Sequence, residues 1–432
     1  LDDKKNRGEL FDEKLMKQIR ERFLHVEEDP VLKEKRLFFD NAGGSIRLKA
    51  ANEAFKKVDE MPDCPEHSNK SALELAAIQA KGTEDVLRVV FNAKTGSLVT
   101  SLTASMAIFE MTRAIIENVP GTNVVTTKLE HPSAYDAIVL NAQRCGKEIR
   151  VADTNKRTGG VDVEAITKLI DMNTCLLSVI YASNISGAVN DMEKIVKEAR
   201  KIKPDLYILC DSVQHVPHKA VDIDKLHVDG LNFAPYKFFG PRGMGFGYLS
   251  ERAAKLPHNK LLAKPSDVWE LGSPAPAHFA AITEVVNYVC WIGGHFVKTE
   301  DRRKLYEEGM NRINLHERAL LHHVLNGSDK VEGLRKMKGV KVFLDYEDLS
   351  TRDLIIAMGI DNLDPKKAVA EYEKEGVVAF ERVSTSIYSA RMLNSFEIEG
   401  CIRVSPLHCN TVDEMDRFLM VTKKLADKYS PR

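Results

Sequence analysis

Short apolar runs alternate with amphipathic stretches along the middle of the chain. SLVT (97–100) precedes a stretch of helical spacing at 103–118, and NVVTTK (123–128) precedes another at 133–145. EIRVAD (148–153) leads into 162–172, and TCLLSVIYAS (174–183) into 191–202. Apolar runs of strand length bounded by turn residues, each followed by a 3.6-residue period, predict parallel strands joined by crossover helices. Three further runs, LYILCD (206–211), GLNFAP (230–235) and GFGYLS (245–250), extend the sheet to seven strands. The last is rich in glycine and aromatic residues and reads as an antiparallel return. The expected fold class is α/β with a mostly parallel sheet, in which ligands sit at the carboxyl ends of the strands.

From about residue 296 the pattern changes. A long charged helical stretch, KTEDRRKLYEEGMNRINLHERALLHHVLNG, is followed by KVFLDY, LIIAMGI, a helix in DPKKAVAEYEKEG and a strand in VVAFER. This predicts a smaller α+β domain over 296–432, a large domain over 37–295, and a helical N-terminal segment over 1–36 that packs near the small domain. A length of 432 residues agrees, being more than one hydrophobic core usually supports.

Composition narrows the partners. With 62 basic and 63 acidic residues the formal charge is −1, which provides no global field for nucleic acid or an anionic membrane and points to a small molecule. Seven cysteines lie scattered with no CxxC, which fits a reducing cytoplasm better than a disulfide framework. No stretch reaches the roughly 18 apolar residues of a membrane span, and the charged N-terminus is unlike a signal peptide, so the chain reads as soluble. It begins without Met, which leaves a removed leader open.

The most informative segment is DGLNFAPYKFFGPRGMGFG (229–247), where Lys237 follows an apolar run and precedes a turn with four glycines and a proline. A lysine at a strand's carboxyl end points into the cleft, and desolvation lowers its pKa so that it can attack a carbonyl, as a Schiff base with pyridoxal phosphate requires. From this segment alone an ordinary surface lysine stands equally open. A P-loop does not, because its lysine follows its glycines. Asp211 ends the run LYILC, 26 residues earlier, and could pair with a protonated pyridine nitrogen, or simply cap the next helix. TSLTAS (100–105) offers hydroxyls and backbone N–H groups as a phosphate seat, or a plain helix cap. His131, in KLEHPSAY, could lay its imidazole on a flat ring, although a lone histidine is more often structural. His215, His218 and His227 show no metal-ligand spacing, and no metal site is expected.

With these residues in this order, the chain resembles the class V aminotransferase family, including cysteine desulfurases and selenocysteine lyases. The resemblance spans roughly residues 36 to 422 and also includes FFDNAGG (38–44), SNISGAVND (183–191), WELGSP (269–274) and CIRVSPLHCNTVDEMDRF (401–418). It implies the pyridoxal-phosphate-dependent aminotransferase fold type I, with Lys237 bonded to pyridoxal 5'-phosphate and Asp211 paired with the ring nitrogen. It further implies that Gln214 bonds the phenolic oxygen, that His131 stacks on the ring, and that Leu102, Thr103 and Tyr236 surround the phosphate. Ser273 would be lent to the phosphate by a second subunit, which implies a homodimer. Arg403 and Asn184 would bind the substrate carboxylate, and Gly43 would line that pocket; a bidentate guanidinium suits the task.

Departures qualify the resemblance. Where desulfurases commonly show Ser-x-His-Lys, this chain has Ala234, Pro235, Tyr236 and Lys237, so a hydroxyl is absent and Tyr236 stands in for histidine. Where they have a mobile cysteine, residues 382–400 contain none. Cys401 and Cys409 do not match that position, and buried structural roles are expected for both. Tyr388, Ser384 and Ser386 are the loop residues of interest. The resulting expectation is a lyase that cleaves a carbon–sulfur or carbon–selenium bond in a small, cysteine-related amino acid by Cα deprotonation and β-elimination. An aminotransferase or amino-acid epimerase is the alternative within the same cofactor class. A non-catalytic scaffold that keeps the fold, or an unrelated nucleotide-binding protein, is the alternative outside it.

Overall fold

The computed structural model describes residues 3–430. After a two-residue strand, β1 (Leu37–Phe38), come the seven strands of the large sheet. They are β2 (Ser97–Ser101), β3 (Asn123–Thr127), β4 (Glu148–Ala152), β5 (Thr174–Ile180), β6 (Tyr207–Asp211), β7 (Gly230–Phe233) and β8 (Gly245–Leu249), in the order β2-β8-β7-β6-β5-β3-β4. All pairings are parallel except those of β8, which runs antiparallel to β7 and to β2. The Gly-rich last run is therefore the return strand that its composition suggested.

The helices begin where their caps allow. Thr103 accepts from Met106 N–H at the head of Ala104–Asn118, and Asp191 accepts from Lys194 N–H at the head of Met192–Ile202. These side chains satisfy backbone donors that the first turn leaves free. Two expected elements come out shorter. The helix expected over 162–172 is Val163–Thr167, after which Asp171, bound by Arg150 and Asn123, turns the chain toward β5. The charged run after 296 becomes helical only at Arg302–Asn326, because Asp301 caps it by accepting from Lys304 N–H.

The second sheet contains β9 (Val340–Phe343), β10 (Ile356–Ile360), β12 (Phe380–Val383) and β13 (Gly400–Val404), all antiparallel, in the order β12-β13-β10-β9. The single strand expected in VVAFER is divided: β11 (Val377–Val378) pairs in parallel with β1, and β12 pairs with β13. Leu37 and Phe39 thereby pack into the core of the small sheet, beside Ile356, Ile402 and Phe418. The helix Arg302–Asn326 belongs to both cores, with Tyr306, Met310 and Ile313 in the large one and Leu320, Leu321, Val324 and Leu325 in the small one. A continuous helix anchored in two cores holds the sheets in fixed register.

Among the described residues no helix is long and apolar enough to cross a membrane. The seven cysteines are free thiols, and Cys175, Cys210, Cys290, Cys401 and Cys409 are buried.

Candidate active site

The carboxyl ends of β3, β5, β6 and β7 open on one side of the large sheet, and a cavity of about 190 Å³ lies there. Thr103, His131, Asn184, Asp211, Gln214, Tyr236 and Lys237 all line it. Adjoining it is a second cavity of about 340 Å³ that shares His131, Asn184, Tyr236 and Lys237 and adds Asp40, Gly43, Arg382, Ser386, Tyr388 and Arg403. Lys237 stands at the junction. Its position follows from β7, whose last residues run into the short 3₁₀ turn Pro235–Lys237.

Lys237 is buried, and its pKa falls to about 8: burial is the larger cause, and the Arg403 charge adds to it. Asp211 is also buried. Burial raises its pKa, against the pull of Val213 N–H at 3.1 Å and of Lys237. A carboxylate held in low dielectric beside an amine with a lowered pKa is an arrangement that favours a cationic ligand nitrogen at the carboxylate and a nucleophile at the lysine.

His131 caps the helix Pro132–Arg144, and its Nδ1 accepts from Ser133 N–H at 3.2 Å and lies 2.6 Å from Ser133 Oγ. An accepting Nδ1 leaves the proton on Nε2. The ring stays neutral because desolvation first, and the Lys237 charge next, lower its pKa to about 3. Behind it, fully buried Glu130 accepts from Thr127 Oγ1 and Ile180 N–H and ties the end of β3 to β5; burial raises its pKa to about 8.

Several polar atoms here lack partners. Gln214 Oε1, Asn184 Oδ1 and Asn232 Oδ1 are buried without a hydrogen bond, although each residue lines the cavity. Buried polar atoms are otherwise almost always satisfied, so a cluster of them at one cavity marks the place of a polar ligand. All three are amide oxygens, which accept and therefore await donors, and a flat heteroaromatic ring with a protonated nitrogen and a protonated phenolic oxygen supplies them; its phosphate needs donors from elsewhere. The helix N-terminus at Ala104 and the Thr103 hydroxyl face the end where the phosphate would sit.

Arg403 is buried on β13, where its Nη2 lies 2.6 Å from Asp40 Oδ1 and its Nη1 donates to the Asn184 carbonyl at 3.2 Å. Gly43 is tightly placed, since a Cβ there would lie 2.8 Å from Asp40 Oδ2 and 3.3 Å from Arg403 Nη2.

Two of the expected residues lie elsewhere in this chain. Leu102 and Ser273 line a separate cavity of about 500 Å³ with Met106, Trp269 and Leu271, and the Ser273 hydroxyl donates to Glu66. Of the three loop residues, Ser386 and Tyr388 reach the larger site cavity and Ser384 does not line it. The loop is pinned across the molecule by Arg391, which donates to the Lys128 and Glu130 carbonyls and stacks on Tyr135.

Cys401 is buried on the face of β13 that carries Arg403, and burial raises its thiol pKa to about 12; burial also raises the thiol of Cys409. Neither is a ready thiolate. Asp63, Cys64 and His67 gather ligand atoms within 4.8 Å of one another, but hydrogen bonds from Cys64 N–H and His67 to Asp63 account for that gathering.

Sequence reasoning passed over Asp40, Arg382, Glu130 and Arg242, the last of which lines the smaller cavity and stacks on the Tyr236 ring at 4.1 Å. Asp40 lies inside FFDNAGG and Glu130 beside His131, so both stood within recognised segments. Arg382 opens the 382–400 segment, but nothing in its local sequence turns it toward the site.

The class-V aminotransferase family model matches residues 37–418. A probable cysteine desulfurase of Borreliella burgdorferi is 24% identical over 426 residues, covering 91% of this chain and 92% of that protein. One of Mycoplasma genitalium is 30% identical over 227 residues, 52% of this chain and 55% of that protein. Among solved structures, the cysteine desulfurase CsdA from Escherichia coli superposes with a TM-score of 0.78 at 18% identity, covering 98% of this chain and 100% of that one. The apo cysteine desulfurase from Thermococcus onnurineus NA1 gives 0.77 at 19% identity, covering 94% and 98%. These structural likenesses extend over both sheets and agree with the fold described above. The matched region contains the whole of the Lys237 site, and the chain belongs to the class-V aminotransferase family, whose members are pyridoxal-phosphate-dependent enzymes.

Proposed function

We propose that this chain uses pyridoxal 5'-phosphate to cleave the carbon–sulfur or carbon–selenium bond of a small cysteine-related amino acid. The observation that carries this reading is the burial of Lys237 and Asp211 on one cavity among unpartnered polar atoms. When bound, pyridoxal phosphate withdraws electrons from the substrate Cα through its ring. Asp211 would accept a hydrogen bond from the ring nitrogen and keep the proton there. Gln214 and Asn184 would meet the polar edge of the ring, His131 would offer its face and Nε2–H, and Thr103, Tyr236 and the helix N-terminus would hold the phosphate. Arg403 orients the substrate carboxylate, which must share the guanidinium with Asp40. Lys237 Nζ, once free, removes the Cα proton, and its lowered pKa keeps a useful fraction of it unprotonated near neutral pH.

Residues 382–400 hold no cysteine, and Cys401 and Cys409 are buried with raised pKa values. This supports direct β-elimination without an enzyme thiol. For cysteine, the Cβ–S bond breaks with its electron pair on sulfur; the products are hydrogen sulfide and 2-aminoacrylate, which water converts to pyruvate and ammonia. In the same reading the working unit is a homodimer in which Ser273 reaches the partner's phosphate. Exposure of Leu102, Met106 and Leu271 around the Ser273 cavity supports an apolar contact there.

The test is an assay of pyridoxal-phosphate-loaded protein with L-cysteine, measuring sulfide and pyruvate together, against Lys237→Ala. Equal amounts of both products, absent in the variant, are expected. Conversion of the cofactor to its amine form with a 2-oxo acid and no sulfide would sink the lyase reading in favour of transamination.

A further inference from the structure

A phosphate group brings about two negative charges into the smaller site cavity. Hydroxyls and backbone N–H groups offset such a charge only in part. Among the described residues two cationic side chains line that cavity, Lys237 and Arg242; the remaining basic group, His131, is kept neutral by burial. Lys237 has its own task at the ring, which leaves the Arg242 guanidinium for the phosphate.

Arg242 stands in the turn between Lys237 and β8. Its guanidinium lies over the Tyr236 ring, 4.1 Å from the centroid. Gly44 closes the other side: a Cβ there would stand 2.8 Å from Arg242 Nη2 and 3.4 Å from Tyr236 Cδ2. Tyr236 is itself fixed, because its carbonyl accepts from Ser45 N–H at 3.0 Å and from Arg47 Nη1 at 3.0 Å. A guanidinium stacked on an aromatic face keeps its in-plane N–H groups available, and two of them can take two phosphate oxygens at once. Half-buried Arg47 has its pKa lowered to about 10, by desolvation first and by the Arg242 charge next. Two guanidiniums that repel each other beside one cavity create a positive field that an anion relieves.

Resting on the proposed function above, we propose that Arg242 supplies the counter-charge for the cofactor phosphate, with the Tyr236 ring and the Gly44 backbone holding its guanidinium at the cavity. Arg242 then selects the phosphorylated ring over the same ring with a free hydroxymethyl group. Its side chain is exposed, so solvent screens the charge and the effect on affinity is moderate.

The experiment compares the binding of pyridoxal phosphate and of pyridoxal, which has a hydroxymethyl group where the other has the phosphate ester. Both are measured on the full cofactor-free chain by equilibrium dialysis. Wild type should prefer pyridoxal phosphate. Arg242→Gln should weaken its binding about tenfold, as loss of one charge-assisted contact predicts, and leave pyridoxal binding unchanged. Arg242→Lys should restore part of the preference, since it keeps the charge and loses the planar fork. Equal weakening of both ligands would mean that Arg242 acts through the Lys237 turn, and unchanged binding of both would leave the phosphate to the helix N-terminus and Thr103; either result overturns the proposal while the cofactor reading stands. If wild type binds neither ligand, the cofactor reading falls and the proposal falls with it. Melting temperature and circular dichroism of the Gln variant establish that it is folded.

Discussion

Lys237 is an amine held where water scarcely reaches, and that placement has a measurable cost. An ordinary lysine titrates at about 10.4, and here burial brings the value to about 8. Below about pH 8 both folded and unfolded chains are protonated, and folding bears the full penalty. Between there and the ordinary value the unfolded chain binds the extra proton, so stability rises with pH; above it the penalty is gone. In cofactor-free protein, Lys237→Met should therefore stabilise by roughly 3 kcal/mol at pH 7, with the gain shrinking to nothing through this window. Urea midpoints across that pH range check it, and a gain independent of pH would refute the burial argument. Gly43→Ala acts differently: its methyl would meet Asp40 Oδ2 at 2.8 Å and disturb the Arg403 pair. Its expected effect is about tenfold weaker binding of propionate to the loaded protein, read by calorimetry.

Lys237, Asp211 and His131 could be found in the sequence because each follows an apolar run, and a strand's carboxyl end is where a parallel sheet puts its ligands. Arg382 could not. Its place beside the site depends on which residue of β13 it opposes, and that register is set by packing between segments about twenty residues apart in sequence, separated by an irregular loop.

The elements themselves were legible where a strand and its crossover helix lie next to each other. Boundaries shifted wherever a capping side chain, such as Asp301, set the start of a helix. The division of VVAFER into β11 and β12 was hidden because β11 takes its partner from β1, more than three hundred residues away. One close contact between elements offers a direct test. Gly309, on the helix shared by both cores, packs against the helix Pro276–Gly294 so tightly that a Cβ would lie 2.1 Å from the Val289 carbonyl oxygen. Gly294 has only the Leu305 side chain, at 4.0 Å. Gly309→Ala should destabilise by about 2–3 kcal/mol, whereas Gly294→Ala should be close to neutral. Equal losses in urea unfolding would contradict this account of the helix pair.

For the whole molecule, the separation of Ser273 from Lys237 within one chain gives the dimer reading its test. Sedimentation should find a species of twice 48.5 kDa. Ser273→Arg and Lys237→Ala proteins, each inactive alone, should recover part of their activity when subunits are exchanged, because one site of each hybrid keeps Lys237 from one chain and Ser273 from the other. No recovery in verified hybrids would confine each site to a single chain.

The central claim is that Lys237 holds the cofactor, and the most direct measurement is borohydride trapping of the purified protein with pyridoxal phosphate, followed by peptide mass analysis. The account predicts a visible absorption band that borohydride abolishes and one stable adduct, on the peptide containing Lys237, with Lys237→Ala showing neither. An adduct on another lysine, or no band in the wild-type protein, would contradict it.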